Sequence, residues 1–175
     1  MTLHLLTQKE FESMQQRDRY FCNRWPYYSK VIDWLRELRF DSVLELGPYK
    51  LPVVAGGHTM DKRRHVSPTY LHDATEIPWP VPDRRYDLFI ALQVWEHLGG
   101  TQCLAFDEVT RIADHAILSF PLRWHCPHNR THHNITEERI AFWTRHTTPV
   151  RHTVVRSGRL DRIIYQFDFT PLRDR

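Results

Sequence analysis

Seven short apolar segments constrain the fold more than any other feature of this sequence. They are rich in Val, Ile, Leu, Phe and Tyr, as β-strands usually are, and they span residues 42–46, 58–61, 69–73, 86–92, 115–121, 151–157 and 161–169. Segments with helical periodicity lie between several of them, and such alternation implies a mostly parallel sheet with both faces covered. The last two strands are separated only by a short stretch around Gly158, which predicts an antiparallel hairpin.

Four segments are predicted to form helices, because their apolar residues recur at helical spacing or their ends carry helix signals. They span residues 9–22, 25–38, 101–114 and 136–146. Thr101 and Thr136 are the predicted N-cap residues of the third and fourth helices.

Length and composition limit the function classes. The 175 residues fit one domain, with 41% hydrophobic and 26% charged residues and no apolar run long enough to span a membrane. The net charge is only +3, and the arginines are scattered among acids, which does not favour nucleic-acid binding. The three cysteines form no paired motif, and the N-terminus has no secretory pattern, so we expect a cytoplasmic protein with reduced thiols.

Polar side chains stand at the ends of four successive predicted strands. Glu45, Asp61 and Asp73 end the first three, and Gln93, followed by Glu96, comes after the fourth. A parallel sheet binds its ligand beyond the carboxyl ends of its strands, so these groups should meet. Together they could bind sugar hydroxyls, a base amine and a charged amino-acid group.

The sequence around these positions resembles the class I S-adenosylmethionine-dependent methyltransferases. The motifs that carry the resemblance are VLELG at 43–47, TMD at 59–61, HDATEIPWP at 72–80 and YDLFIALQVWEHL at 86–98. The resemblance covers most of residues 25–169, and the fourth motif is its most specific part.

The resemblance implies a single-domain, Rossmann-like α/β methyltransferase fold with a seven-stranded, mostly parallel sheet and an antiparallel C-terminal hairpin. Residues 1–40 would hold the N-terminal helices, 41–121 the cofactor-binding core, and 122–175 a substrate-side loop, a helix and the hairpin. The implied cofactor is S-adenosylmethionine. The implied cofactor-binding residues are Glu45, Gly47, Pro48, Asp61, Asp73, Ala74, Leu92 and Gln93.

The loop after Gly47 departs from the family pattern. The usual further glycines are replaced by a stretch that contains Pro48 and Pro52, and only about ten residues separate Gly47 from the next strand. Proline lacks an amide hydrogen and biases the residue before it away from helix, so residues 48–54 are predicted to form an irregular loop. Three other side chains could then hold the amino-acid end of the cofactor: Tyr27, Tyr28 and Lys50.

Histidines supply the candidate catalytic groups, which are His97, His128 and His132. His97 follows the fourth strand, and the other two belong to the segment HCPHNRTHHN at 125–134. This segment could bind substrate, supply a general base, hold a metal ion or be a solvated loop. We expect no resident metal, because no second ligand pair of matching spacing accompanies the segment.

The preferred function is methyl transfer to an oxygen or nitrogen of a small-molecule or glycan acceptor. Residues 1–28 and 122–135, or a second copy of the chain in a homodimer, would supply the acceptor surface. Two alternatives remain open: a noncatalytic binding or partner subunit, and a metal-dependent enzyme that uses the histidines of residues 125–133.

Overall fold

The computed structural model describes residues 2–173 and contains a central sheet with helices on both faces. Nine strands are present in the described residues: β1 (His4–Leu5), β2 (Val43–Leu46), β3 (Val54–Ala55), β4 (His58–Asp61), β5 (Tyr70–Leu71), β6 (Tyr86–Leu92), β7 (Ala113–Leu122), β8 (Arg151–Ser157) and β9 (Leu160–Asp168). The α-helices are α1 (Gln8–Arg17), α2 (Trp25–Leu35), α3 (Gln102–Ile112), α4 (Glu137–Trp143) and α5 (Thr170–Arg173).

Seven of these strands form one sheet in the order β5-β4-β2-β6-β7-β9-β8. The first five are parallel to their neighbours, whereas β9 runs antiparallel to β7 and forms a hairpin with β8. The predicted sheet and C-terminal hairpin are therefore confirmed. The strand order reverses between β2 and β6, and this switch point is where open α/β sheets bind ligands.

The central strand β6 shows why this sequence requires a covered sheet. Successive side chains of a strand point to opposite faces. Leu88 and Ile90 pack with α1 and α2 on one face, and Phe89 and Ala91 pack with α3 and α4 on the other. Because both sets are fully buried, every position in the middle of this strand must be apolar.

The helices form where their caps and apolar faces allow, although all four predicted helices are shorter than the sequence predicts. Asp18 ends α1 and caps the short 3-10 turn that follows it, so the predicted helix over 9–22 is divided. The hydroxyl of Thr136 accepts a hydrogen bond from the amide of Arg139, which confirms it as the N-cap of α4. Thr101 occupies the N-cap position of α3, but its hydroxyl donates to the carbonyl of Leu98 instead of capping.

Loops replace helices in the first half of the sheet. Residues 47–53 contain no helix, which confirms the irregular loop after Gly47, and β3 then pairs with β1 in a small antiparallel sheet that the sequence did not predict. Residues 62–85 contain one 3-10 turn and no α-helix. Four prolines interrupt that segment, so regular crossover helices cannot form there: Pro68, Pro78, Pro80 and Pro82. None of the described helices is long and apolar enough to cross a membrane.

Candidate functional site

A cavity of about 420 Å³ opens at the carboxyl ends of β2, β4 and β6. This volume lies within the range of roughly 300–1,000 Å³ that is usual for ligand pockets. Six of the residues predicted to form the site line it: Gly47, Asp61, Asp73, Ala74, Gln93 and His97. The structure therefore brings together most of the polar strand ends that the sequence singled out.

A larger depression of about 520 Å³ lies at the opposite end of the sheet, beside Asp41, Asp87 and His115. The carboxylate of Asp87 is already used there, because it accepts hydrogen bonds from the amides of Asp41 and Ser42 and from the Ser42 hydroxyl. Those contacts fix the start of β2. We therefore place the candidate site at the carboxyl ends of the strands.

Gly47 allows the loops after β2 and β6 to approach each other. It has a positive φ of 63°, and a Cβ at this position would lie 2.9 Å from Cγ2 of Val94. Its amide donates to the carbonyl of Met60, which ties the loop to β4. Only glycine meets both the backbone and the space requirements without strain.

Asp61 is an ionised group of the cavity, held by Arg63. It accepts hydrogen bonds from the amide and Nε of Arg63, both at 2.9 Å, and from a terminal guanidinium nitrogen of Arg63 at 2.6 Å. Burial alone would raise its pKa, but the hydrogen bonds and charge of Arg63 outweigh burial and lower the pKa below its ordinary value. The Asp61 carboxylate is thus already bound to Arg63. A ligand hydroxyl that donates to Asp61 would have to share the carboxylate with Arg63.

Asp73 and Ala74 border the other end of the cavity. Oδ1 of Asp73 accepts from the amide and hydroxyl of Thr75, and Oδ2 lies 3.1 Å from Nζ of Lys62. Burial opposes ionisation, yet these hydrogen bonds lower the pKa of Asp73. The carbonyl of Ala74 accepts from Nε1 of Trp79, so this turn is held rigidly against the core.

Gln93 lies directly after β6 with a positive φ of 58°. Its amide and its side-chain nitrogen both donate to the hydroxyl of Ser119 on β7. These bonds fix the unusual backbone conformation and point the chain toward the cavity. Leu92, the residue before it, is buried at the end of β6.

Glu45 and Pro48 lie outside this cavity. The Glu45 carboxylate is buried within the loop, where Oε2 accepts a hydrogen bond of 2.7 Å from the amide of Val53. Burial raises the pKa of Glu45 to about 8, although backbone hydrogen bonds oppose the shift. Pro48 lines an adjacent depression of about 370 Å³ that shares Asp61 with the cavity. Cofactor contact by Glu45 and Pro48 stays a prediction.

The three candidates for the amino-acid end of a ligand are already engaged. Nζ of Lys50 pairs with Asp18 at 2.9 Å. Tyr27 and Tyr28 are buried, and the Tyr27 hydroxyl accepts from Arg24. Any role for them at a ligand would require these contacts to change.

A second polar cluster adjoins the cavity at His97. The rings of His97 and His132 meet edge to face with centroids 4.8 Å apart. Oε1 of Glu96 lies 3.6 Å from Nε2 of His132 and 4.0 Å from Nε2 of His97. Burial lowers the pKa of both histidines and raises the pKa of Glu96 to about 8. These three side chains could hold a metal ion.

His128 does not join that cluster and is exposed on the same loop. The structure thus brings two of the three candidate catalytic histidines together. Sequence reasoning missed Arg63 as the partner of Asp61, although the two-residue spacing was a usable signal. It also missed Arg24 and Arg162, which are distant from each other in sequence but both contact Tyr27.

Comparisons with known proteins support the fold. No protein-family model and no curated protein matches this sequence. The N-methyltransferase NodS from Bradyrhizobium japonicum superimposes with a TM-score of 0.63 at 15% identity, over 83% of this chain and 96% of that one. Its complex with S-adenosyl-L-homocysteine gives a TM-score of 0.64 at 14% identity, over 83% and 87%.

Two further structures show the range of proteins on this fold. A SAM-dependent methyltransferase from Aquifex aeolicus gives a TM-score of 0.55 at 15% identity, over 80% of this chain and 89% of that one. The [4+2]-cyclase SpnF gives 0.53 at 11% identity, over 71% and 74%. The fold therefore does not fix the reaction. The chain has the class I S-adenosylmethionine-dependent methyltransferase fold.

Proposed function

We propose that this protein binds S-adenosylmethionine in the cavity beside Asp61 and transfers its methyl group to an oxygen or nitrogen of a small-molecule or glycan acceptor. The observation that carries the proposal is the ionised Asp61 carboxylate at the end of β4, in one cavity with Asp73, Ala74 and Gln93. The complex of NodS with S-adenosyl-L-homocysteine shows that a protein of this fold holds the corresponding product.

The chemistry of the donor groups fits this cofactor. Asp61 would accept the two ribose hydroxyls, and Asp73 with Ala74 would border the adenine. Gly47 has no side chain and so leaves space for the methionine part of the cofactor. Glu45 and Pro48 would lie near the same part. Leu92 and Gln93 would line the approach to the methyl group. When bound, the cofactor supplies an electrophilic methyl group on a positively charged sulfur.

The residues beyond β6 would then position the acceptor. His97 lines the cavity and contacts His132, so an acceptor held between them would lie close to Gln93. Burial lowers the pKa of both histidines, which keeps an imidazole neutral and able to accept a proton from a hydroxyl or ammonium acceptor. His128 was the third candidate, and its exposed position suits contact with a larger acceptor such as a glycan.

The alternative is a noncatalytic subunit that keeps the sheet and binds a partner. The helix-free loop at residues 48–53 favours it, because the positive end of a helix is missing from this side of the cavity. The relation to SpnF also shows that the fold serves other reactions.

Calorimetric titration with S-adenosyl-L-homocysteine and S-adenosylmethionine tests the proposal. We expect saturable binding at one site per chain. Absence of heat and of thermal stabilisation at millimolar ligand would refute cofactor binding and support the noncatalytic alternative. Methyl transfer to acceptor libraries is then measured with labelled cofactor.

A further inference from the structure

Glu96 is a buried carboxylate whose surroundings require an explanation. Its side chain has no solvent exposure, and neither of its oxygens has a hydrogen-bond partner among the described residues. Buried carboxylates are normally hydrogen-bonded, paired with a cation or bound to a metal, because an isolated buried charge is costly.

The two histidines beside Glu96 supply the missing partners. Nε2 of His132 lies 3.6 Å and Nε2 of His97 lies 4.0 Å from Oε1 of Glu96. All three ligand atoms lie within 4.8 Å of one another. Ligand atoms about 2.0–2.2 Å from one ion are at most about 4.4 Å apart, so the three side chains would have to close by a few tenths of an ångström to bind it.

We propose that Glu96, His97 and His132 bind one divalent transition-metal ion, with Zn²⁺ as the representative of the class. Two imidazoles and one carboxylate suit zinc and its first-row neighbours, whereas Mg²⁺ and Ca²⁺ prefer oxygen ligands. Three protein ligands leave at least one coordination position open.

The surroundings of His132 hold its ring in place. The side-chain amide of Asn129 lies 2.8 Å from Nδ1 of His132, and the indole of Trp124 stacks on the ring at 5.7 Å. The atom that makes this contact is Nδ2 of Asn129, so Nδ1 of His132 accepts the hydrogen bond and the ring proton lies on Nε2. Metal binding at Nε2 requires the Asn129 amide to turn by about 180°. Its oxygen then accepts from Nδ1–H, as the outer contacts of metal-binding histidines typically do.

A competing explanation is that Glu96 serves as the counterion of two arginines. Arg24 and Arg162 act electrostatically on Glu96, but neither forms an ion pair with it in the described part of the chain. Arg24 donates instead to the Tyr27 hydroxyl and the Tyr20 carbonyl. Arg162 lies over the rings of Tyr27 and Trp124. Neither guanidinium therefore donates a hydrogen bond to the carboxylate in the described part of the chain.

This proposal departs from the expectation of no resident metal, which was drawn because no second ligand pair of matching spacing accompanies residues 125–134. That segment contributes only His132, and the other two ligands come from the loop after β6. His97 also lines the cavity, so an ion held by it would lie beside the cavity. In the metal-loaded protein both imidazoles would be ligands and could not serve as the base. If the proposed methyl transfer is correct, an acceptor oxygen bound to the ion would instead lose its proton to solvent more easily. This use rests on the proposed function, whereas metal binding does not.

The test is a zinc titration of chelator-treated protein, purified without an affinity tag, at pH 7.5 and in competition with a chromophoric chelator. We expect the wild type to bind one Zn²⁺ per chain and Mg²⁺ not to displace it. Glu96→Gln and His132→Ala should each weaken zinc binding by at least about 10-fold. His125→Ala is the matched control, because His125 is exposed in the same loop and lies outside the cluster.

Circular dichroism melting checks that each variant is folded, and the nearly isosteric Glu96→Gln decides the matter if His132→Ala fails to fold. Absence of zinc binding by the wild type would overturn the proposal. So would unchanged affinity in Glu96→Gln, or a loss in His125→Ala equal to that of the ligand variants. Titration of the same protein with S-adenosyl-L-homocysteine separates the two proposals, since either ligand can bind while the other fails.

Discussion

The loops that follow β2 and β6 leave neighbouring parallel strands, and each has a buried glutamate beside it. Glu45 lies near the end of β2, and Glu96 lies four residues after β6. Burial raises the pKa of both carboxyl groups to about 8. By residue type, burial and pKa, the two positions are almost indistinguishable.

Their partners differ. Glu45 accepts the amide hydrogen of Val53 and so closes its own loop over residues 47–53. Glu96 faces two imidazoles, with no hydrogen bond to either oxygen within the described structure. The difference teaches that burial and a shifted pKa do not by themselves mark a functional carboxylate. A group satisfied by its own backbone stabilises the loop, whereas an unsatisfied group remains available to a ligand.

The largest expected effect concerns the pH dependence of Glu45. The unfolded chain ionises this group near its ordinary pKa of 4.5, but the folded protein keeps the proton up to about pH 8. Between these values the folded state binds more protons, so the free energy of unfolding falls as pH rises, by up to about 1.4 kcal/mol per pH unit. Glu45→Gln retains an acceptor for the Val53 amide and removes this dependence.

Urea denaturation of wild type and Glu45→Gln from pH 5 to 8 measures the effect. The difference between the two proteins isolates Glu45, because other titrating groups contribute equally to both. We expect the wild type to lose stability relative to the variant as pH rises. A constant difference in the free energy of unfolding across this range would mean that Glu45 is already ionised in the folded protein. Glu45 would then behave as an ordinary strand-end carboxylate.

Sequence patterns sufficed for the sheet because its central strands, β2, β6 and β7, are mostly buried and largely apolar. The Thr136 cap and the hairpin at Gly158 depend on local signals that sequence carries directly. The small sheet of β1 and β3 could not be predicted, because it joins two-residue strands about fifty residues apart. Such short pairings are determined by tertiary packing and leave little periodicity in sequence.

Site residues could be predicted where their position follows from the strand that they end. Asp61, Asp73 and Gln93 share a cavity because parallel strands end at the same edge. The side chains that engage these groups were not predictable. Arg63 turns back onto Asp61, and His132 reaches Glu96 from a loop that follows β7. Only the folded chain determines which of several nearby histidines makes that contact.

Asp61 provides the next prediction, because its carboxylate lies in the proposed cofactor cavity between the strand ends that carry Gly47 and Asp73. Asp61→Ala should weaken S-adenosyl-L-homocysteine binding by roughly 1.5–3 kcal/mol, the range for hydrogen bonds to a charged group. Calorimetric titration measures the loss. Asp107→Ala is the matched control, since Asp107 pairs with Arg145 in a similar two-bond arrangement outside the cavity. Equal affinity of Asp61→Ala and wild type would remove Asp61 from the site.

The smallest expected effect on stability concerns Gly47, where the loop after β2 contacts the loop after β6. Gly47 and Gly99 both have positive φ, 63° and 57°, but a Cβ at Gly47 meets Val94 at 2.9 Å and a Cβ at Gly99 meets nothing within 4 Å. The left-handed backbone alone costs an alanine roughly 1–2 kcal/mol. Gly47→Ala should therefore destabilise the protein by about 0.5–1 kcal/mol more than Gly99→Ala, through crowding of Val94. Val94→Ala in the same chain should recover that excess, and a urea-denaturation double-mutant cycle measures it. If both glycine variants lose the same stability, the loops after β2 and β6 are not in steric contact and respond to mutation independently.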